Sequence, residues 1–143
     1  MKWKKATEKG YTSLIDLWEK SVLATHDFLN SADREAIKIE IPSYFPQLDM
    51  KMWYQDDSFI GFSGVHENHL EMLFLDPEHI GNGFGSSILT YLIEKDGVKF
   101  VDVNKDNKQA AAFYYKNGFQ IISESEQDDQ GRNYPILHLS LEV

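Results

Sequence analysis

The chain has 143 residues, of which 42% are hydrophobic and 26% charged, as expected for one folded domain with its own core. Its formal net charge is −9, and the acidic residues are scattered along the chain. An acidic surface without a basic stripe repels nucleic-acid phosphates, so the composition argues against a nucleic-acid partner. Such a surface weakly attracts cationic small molecules or basic peptides, and it also simply keeps a protein in solution.

The chain lacks cysteine, which excludes disulfides, thiolate nucleophiles and cysteine-ligated zinc. No stretch approaches the roughly 18 consecutive apolar residues that a membrane-spanning helix requires. The N-terminus lacks the apolar core of a signal peptide. These features predict a cytoplasmic protein without a membrane partner, folded as a single domain over residues 1–143.

The N-terminal part of the chain predicts one strand and two helices. A short strand over residues 3–6 precedes a segment, 11–24, in which apolar residues recur at helical spacing. Ser31 or Asp33 is a candidate cap for the second helix, which must end near Pro42.

The middle of the chain predicts three strands and a helix. Residues 50–54 and 59–62 flank a turn-forming segment and predict a hairpin, and the strand 70–75 follows a second short turn. Beyond a glycine-rich turn, a helical segment begins at Ser86 and ends near Asp96.

The C-terminal part predicts a strand over 98–103, a helix over 108–116 that Gly118 ends, and strands over 119–123 and 134–141. The complete order is strand, two helices, three strands, helix, strand, helix, two strands. This order indicates an α/β or α+β domain with a mixed sheet.

The glycine-rich turn is the clearest functional signal in the sequence. Gly81, Gly83 and Gly85 alternate directly after an apolar strand that Asp76-Pro77 closes, and a helix follows them. Glycines leave backbone N–H groups accessible, and a helix N-terminus attracts anions. The turn therefore predicts a site for phosphate or pyrophosphate.

Two common phosphate motifs do not match this turn. A nucleotide P-loop requires a lysine after its last glycine, and none follows Gly85. A dinucleotide fingerprint requires glycine where this chain has Ser86, although the acidic Asp102 stands about 20 positions further on. That fingerprint also belongs to the first strand–helix–strand unit of a fold, whereas several elements precede the turn here.

A second segment, Asn104 to Phe119, carries the pattern Phe113-Tyr114-x-Lys-x-Gly118-Phe119 after a strand. Together with the glycine turn and Asp76-Pro77, it resembles the signature of the GNAT superfamily of N-acetyltransferases over nearly the whole chain. The resemblance implies the acyl-CoA N-acyltransferase fold, in which helices flank a mixed, mostly antiparallel sheet whose central strands splay apart.

The resemblance also implies acetyl-CoA as the co-substrate and transfer of its acetyl group to a primary amine by direct attack. The acceptor, a small-molecule or peptide amine, is not identified by the sequence. The resemblance also allows a homodimer, but the sequence does not identify an interface for it.

The resemblance implies a set of acetyl-CoA-binding residues in the strand, the turn and the second segment. They are Phe74, Leu75, Ile80, Gly81, Asn82, Gly83, Phe84, Gly85, Ser86, Asn104, Asn107 and Tyr114. Ile80 departs from the family, which usually has arginine or glutamine there to help hold the pyrophosphate. This departure keeps open an alternative function, a non-catalytic acyl-CoA-binding or regulatory module of the same fold.

Tyr114 matches the family's usual general acid, since a phenol remains protonated at neutral pH and can donate to a thiolate. Neighbouring helix residues point about 100° apart, so Tyr115 should face elsewhere. A purely structural Tyr114 is the alternative, and Asn107 could be only a helix cap.

The candidates for accepting a proton from the amine are His69 and Glu71, which a two-residue period places on one strand face with Leu73 and Leu75. His69 stands where many relatives carry glutamate, and the alternative is that it is an exposed residue at the end of a turn. His66 and His69 without further ligands are a weak metal signal, so we expect no metal site. The resemblance places His26 and Trp53 near the amine acceptor; a loop contact and a core position, respectively, are their alternatives.

Overall fold

The computed structural model describes residues 1–25 and 29–141. Within these ranges the chain forms seven strands and four α-helices. The strands are β1 (Lys2–Lys5), β2 (Asp49–Gln55), β3 (Ser58–His66), β4 (His69–Leu75), β5 (Phe100–Asn104), β6 (Phe119–Ser125) and β7 (Ile136–Leu141). The helices are α1 (Tyr11–Thr25), α2 (Ser31–Glu40), α3 (Phe84–Asp96) and α4 (Lys108–Lys116). Their order along the chain confirms the predicted one.

The seven strands form one mixed sheet in the order β1-β2-β3-β4-β5-β7-β6. Every neighbouring pair is antiparallel except β4 and β5, which run parallel. Those two strands pair only at His69–Phe100 and Leu70–Val101 among the described residues, and then diverge. The predicted mixed, mostly antiparallel sheet with splayed central strands is confirmed.

Two hydrophobic clusters hold helices to the sheet. In the first, Ile88, Leu89 and Leu92 of α3 pack with residues of β5 and β7 such as Val101 and Leu139. In the second, residues of α1 pack on β2 and β3; this cluster includes Leu14, Leu17, Trp18, Met50, Met52 and Phe62. Both clusters include β4, which contributes Leu70 to the first and packs Met72 and Phe74 against the second.

Some local features differ from the sequence predictions. Asn30 caps α2, because its side-chain oxygen accepts a hydrogen bond from the Asp33 backbone N–H at 2.8 Å. The predicted cap at Ser31 or Asp33 is therefore wrong; both residues lie inside the first helical turn. Both β5 and β7 begin two residues later than predicted.

In the described part of the chain, every helix is too short or too polar to cross a bilayer.

Candidate functional site

A cavity of about 340 Å³, which we call the split cavity, opens where β4 and β5 diverge. Phe74 and Leu75 line it from β4, and Asn104 lines it from the end of β5. Asn107 and Tyr114 line it from α4 and the turn before it. With Ile80 and Gly85, which also line it, the split cavity thus collects seven of the residues that the family resemblance had implied for coenzyme binding.

The glycine turn lies between β4 and α3. Gly81 and Gly83 have φ angles of +91° and +80°, left-handed backbone that favours glycine. A Cβ added at either residue would meet nothing within 4 Å, so the space in front of the turn is open. At Gly85, a Cβ would lie only 3.2 Å from Phe113 and 3.3 Å from Leu75, so glycine there lets α3 pack closely.

The same turn presents backbone donors at the start of α3. Gly83 caps the helix, whose first hydrogen bond runs from the Ser87 N–H to the Gly83 carbonyl at 3.1 Å. The amides of Phe84, Gly85 and Ser86 precede that bond and belong to the helix end, where N–H groups lack intrahelical acceptors. Open space, left-handed glycines and a helix N-terminus together fit a diphosphate group.

The remaining residues implied for coenzyme binding lie around this turn. Asn82 is exposed between the two left-handed glycines, and the half-buried Ile80 lines the split cavity. Phe84 is the first residue of α3 rather than part of the turn. Asn107 does cap α4, since its Oδ1 accepts from the Ala110 N–H at 3.1 Å, and it lines the cavity as well.

Tyr114 lies on the α4 side of the split cavity with only 7% of its surface exposed. Its ring packs edge-on against Phe113 and Phe119. Burial raises the pKa of Tyr114 well above its usual value, so the phenol stays protonated throughout the neutral range. Tyr115, in contrast, is 44% exposed, as the helical phase predicts.

The strand β4 contains a bulge at Glu71. Its neighbours Leu70 and Met72 pair with the adjacent residues Val65 and Gly64 of β3, which leaves Glu71 as an extra residue. Leu70 therefore packs in the same cluster as Leu73 and Leu75. The prediction that His69 and Glu71 share a face with Leu73 and Leu75 is wrong, because the bulge breaks the two-residue period between them.

His69 nevertheless contacts Glu71. Its Nδ1 lies 3.2 Å from Glu71 Oε1, and its Nε2 lies 3.5 Å from Asp102 Oδ2 on β5. The nearby carboxylates of Asp102 and Glu71 raise the pKa of His69 from 6.5 to about 10. His69 is therefore an imidazolium at neutral pH and has no lone pair with which to accept a proton.

A second cavity of about 450 Å³, which we call the side cavity, lies between α2 and residues 128–132 of the β6–β7 connection. Arg132 joins these two walls: its guanidinium lies 3.0 Å from Glu40 and 3.7 Å from Asp33 on α2, and 3.8 Å from Asp128 on its own loop. The Tyr134 hydroxyl donates to Asp33 in addition. Carboxylates of Glu40, Asp128 and Asp129 line the side cavity.

The two cavities meet at β4. Of the residues that line them, Glu71 and Met72 are common to both. Asp102 lines the split cavity near the last paired residues of β4 and β5. The sequence did not identify Met72 as a site residue, and it identified Asp102 only as part of a dinucleotide fingerprint. The alternation of β5, in which Val101 and Val103 are buried on either side of Asp102, is the sequence signal that predicts an exposed Asp102.

Two residues that were expected near the amine acceptor have different outcomes. Trp53 is 2% exposed in the core, where its indole N–H donates to Ser63 Oγ at 2.9 Å and its ring packs against Tyr91. Its predicted contact with the acceptor is incompatible with this burial, so Trp53 is a core residue. His26 lies outside the described residues.

Comparisons with known proteins agree with this geometry. A family model described as "Acetyltransferase (GNAT) domain" matches residues 49–121. The peptidyl-lysine N-acetyltransferase YjaB of Salmonella typhimurium is 35% identical over 127 residues, which span 88% of both chains. The solution structure of apo YjaB from Escherichia coli covers 98% of this chain and 96% of its own, with 30% identity and a TM-score of 0.88. YncA from Salmonella typhimurium, solved with acetyl-CoA, shares the fold at 15% identity and a TM-score of 0.66, over 100% of this chain and 95% of its own.

Proposed function

Because this chain belongs to the GNAT family of acetyltransferases, we propose that it transfers an acetyl group from acetyl-CoA to the side-chain amine of a lysine in a peptide or protein. Two observations support a lysine acceptor: the relative named as a peptidyl-lysine N-acetyltransferase, and the carboxylates that line the side cavity. The open glycine turn and the split cavity beside it support acetyl-CoA as the donor.

The observation that carries this proposal is the position of Glu71 between the two cavities. A transferase for two substrates needs a site for each and a place where their reacting atoms meet. The split cavity leads from the glycine turn to Glu71, and the side cavity reaches Glu71 from α2. A thioester in the first and an amine in the second would meet at Glu71 and Met72.

Acetyl-CoA supplies an acetyl thioester, whose carbon–sulfur bond breaks as the amine nitrogen bonds to the acetyl carbon. The backbone amides of Gly81, Gly83 and Ser86 would hold its diphosphate by a mechanism that requires no side chain. The edge of β4 next to the cavity, at Phe74 and Leu75, would hold the pantetheine arm by backbone hydrogen bonds.

Tyr114 is the proposed general acid. Its buried phenol keeps its proton at neutral pH and lines the same cavity as Glu71. A proton donated from its Oη neutralises the departing sulfur, a role that positioned acids fill with effects of about 10²- to 10⁴-fold on rate.

Glu71 is the proposed proton acceptor for the amine. A lysine amine with a pKa of about 10.4 is almost wholly protonated at neutral pH and must lose a proton before it can attack. Glu71 is 39% exposed at the junction of the cavities, and its carboxylate can accept that proton directly or through water. His69 is already protonated, so its role is to pair with this carboxylate.

The side cavity suits a cationic acceptor. Glu40, Asp128 and Asp129 line it, and the basic side chains among its described lining residues are His66 and Arg132. That guanidinium is already engaged with Asp33, Glu40 and Asp128. An excess of carboxylates over cations attracts the ammonium form of a lysine.

The proposed function is tested by thiol release from acetyl-CoA against lysine peptides, peptides with only an N-terminal amine, and small amines. We expect turnover with lysine peptides, with acetyl-lysine detected by mass spectrometry. Glu71→Gln should lower kcat by about 100-fold while acetyl-CoA binding is kept. The matched control, Glu94→Gln on the exposed side of α3, should change neither quantity.

Two other outcomes would each refute a different part of the proposal. Turnover of small amines alone would refute the lysine acceptor. Binding of acetyl-CoA without turnover of any amine would favour the non-catalytic module.

A further inference from the structure

A chain of polar side chains crosses four strands beyond Glu71. His69 on β4 contacts Asp102 on β5, and Asp102 Oδ1 lies 2.6 Å from His138 Nδ1 on β7. On β6, Ser125 Oγ lies 2.7 Å from His138 Nε2. Because a carboxylate only accepts hydrogen bonds, His138 donates to Asp102 from Nδ1, and its neutral form accepts the Ser125 hydroxyl at Nε2.

This chain of contacts ends inside the proposed site. Asp102 and Glu71 both line the split cavity, and His69 lies between their carboxylates. The register pairs His69 with Phe100 and Leu70 with Val101, so His69 lies one position before the last pair that joins β4 and β5. Asp102 is therefore one contact removed from Glu71.

We propose that Asp102 is a positioning residue for amine deprotonation, which holds the His69 imidazole against Glu71 and thereby orients the Glu71 carboxylate. This inference rests on the proposed function and extends it to a residue outside the motifs of the family resemblance. His138, backed by Ser125, keeps Asp102 oriented toward His69.

The charged and titratable groups around His69 support this role. Glu71 is on its own strand, His66 lies opposite on β3, and Asp102 with His138 approaches from β5 and β7. Asp102 is the larger cause of the raised pKa of His69, ahead of Glu71. Without Asp102, Glu71 alone would face the imidazole, and the ring would lose the contact from β5 that holds it in this orientation.

The test is Asp102→Asn, which keeps the shape of a side chain that is 35% exposed and should preserve the fold. NMR titration of the imidazoles in the substrate-free protein should show the pKa of His69 fall by about 1 to 3 units, the effect of one neighbouring charge. The pH profile of kcat/KM for a lysine peptide should gain a new inflection at that lower pKa. Binding of acetyl-CoA should be unchanged.

Two further variants make the result specific. Asp102→Glu retains a carboxylate and should restore the wild-type titration and pH profile. Glu124→Gln removes a β6 carboxylate that pairs with Lys105 at 2.8 Å instead, and should alter neither readout.

The outcomes separate this inference from the proposed function. If the wild-type protein acetylates no amine, the proposed function fails, and with it the catalytic role of Asp102. If the wild-type protein is active but Asp102→Asn leaves either the His69 titration or the pH profile unchanged, only the inference about Asp102 is refuted.

Discussion

His69 of β4 contacts Asp102 of β5 next to the last paired residues of these strands, Leu70 and Val101, with 3.5 Å between His69 Nε2 and Asp102 Oδ2. The strands diverge directly afterwards, and Asp102 lines the split cavity that opens there. The contact therefore links the divergence of the two strands, which creates the cavity, to a charged side chain beside it.

The first prediction concerns stability and pH. Since the pKa of His69 is raised from 6.5 to about 10 in the folded protein, its contribution to the free energy of unfolding is complete below pH 6.5 and disappears as pH rises through about 10. Urea unfolding of wild type and His69→Gln should thus differ most below pH 6.5 and converge at alkaline pH.

His66→Gln is the matched control for this measurement, because His66 is an exposed histidine directly opposite on β3. A stability difference between wild type and His69→Gln that grows with pH would show that the sign of the effect is wrong.

The second prediction concerns the general acid. Tyr114→Phe removes one hydroxyl from a buried ring, so the packing against Phe113 and Phe119 should survive. We expect kcat to fall by about 100-fold or more without loss of acetyl-CoA affinity. Tyr115→Phe, at a position 44% exposed, should leave turnover unchanged. Undiminished thiol release by Tyr114→Phe would rule out the acid role.

The third prediction concerns the glycine turn. Gly83→Ala forces a side chain onto backbone at φ +80° and should cost about 1 kcal/mol of stability. The added methyl group would also occupy the open space in front of the turn, so the Kd for acetyl-CoA should rise about tenfold, or about 1.4 kcal/mol.

Gly97→Ala is the control for this variant. Gly97 ends α3 at φ +70°, and a Cβ there also meets nothing within 4 Å. It should lose similar stability yet bind acetyl-CoA as wild type does in calorimetry. Equal affinities for the two variants would mean that the turn does not hold the diphosphate.

The fourth prediction concerns Ile80, which lines the split cavity where the family resemblance implies a polar side chain. Ile80→Arg should tighten acetyl-CoA binding about fivefold, the value of an exposed ion pair of about 1 kcal/mol, and this gain should shrink at high salt. Ile80→Met tests side-chain length without charge and should have no effect. Identical Kd values for all three proteins would count against a diphosphate beside residue 80.

Much of the fold follows from local signals in the sequence. Asp76-Pro77 ends β4, the glycines that follow start α3, and Asn107 and Gly118 bound α4. Such residues act on backbone within a few positions, so reading them in order is enough to predict the sequence of strands and helices.

The details of the site depend on contacts between distant residues, which local patterns do not report. The bulge at Glu71 arises from how β3 pairs with β4, so the two-residue period failed there. Asp102, His138 and Ser125 come together only because β7 lies between β5 and β6. The burial of Trp53 likewise follows from packing against Tyr91 of α3.

The most direct test of the account is to map acetyl-CoA onto the protein by backbone amide NMR. We predict the largest shift changes at Gly81, Gly83, Gly85 and Ser86, together with Phe74 and Leu75 on the edge of β4. Saturable binding that leaves those amides unchanged and perturbs another surface would contradict the central claim that the split sheet and its glycine turn hold the acetyl donor.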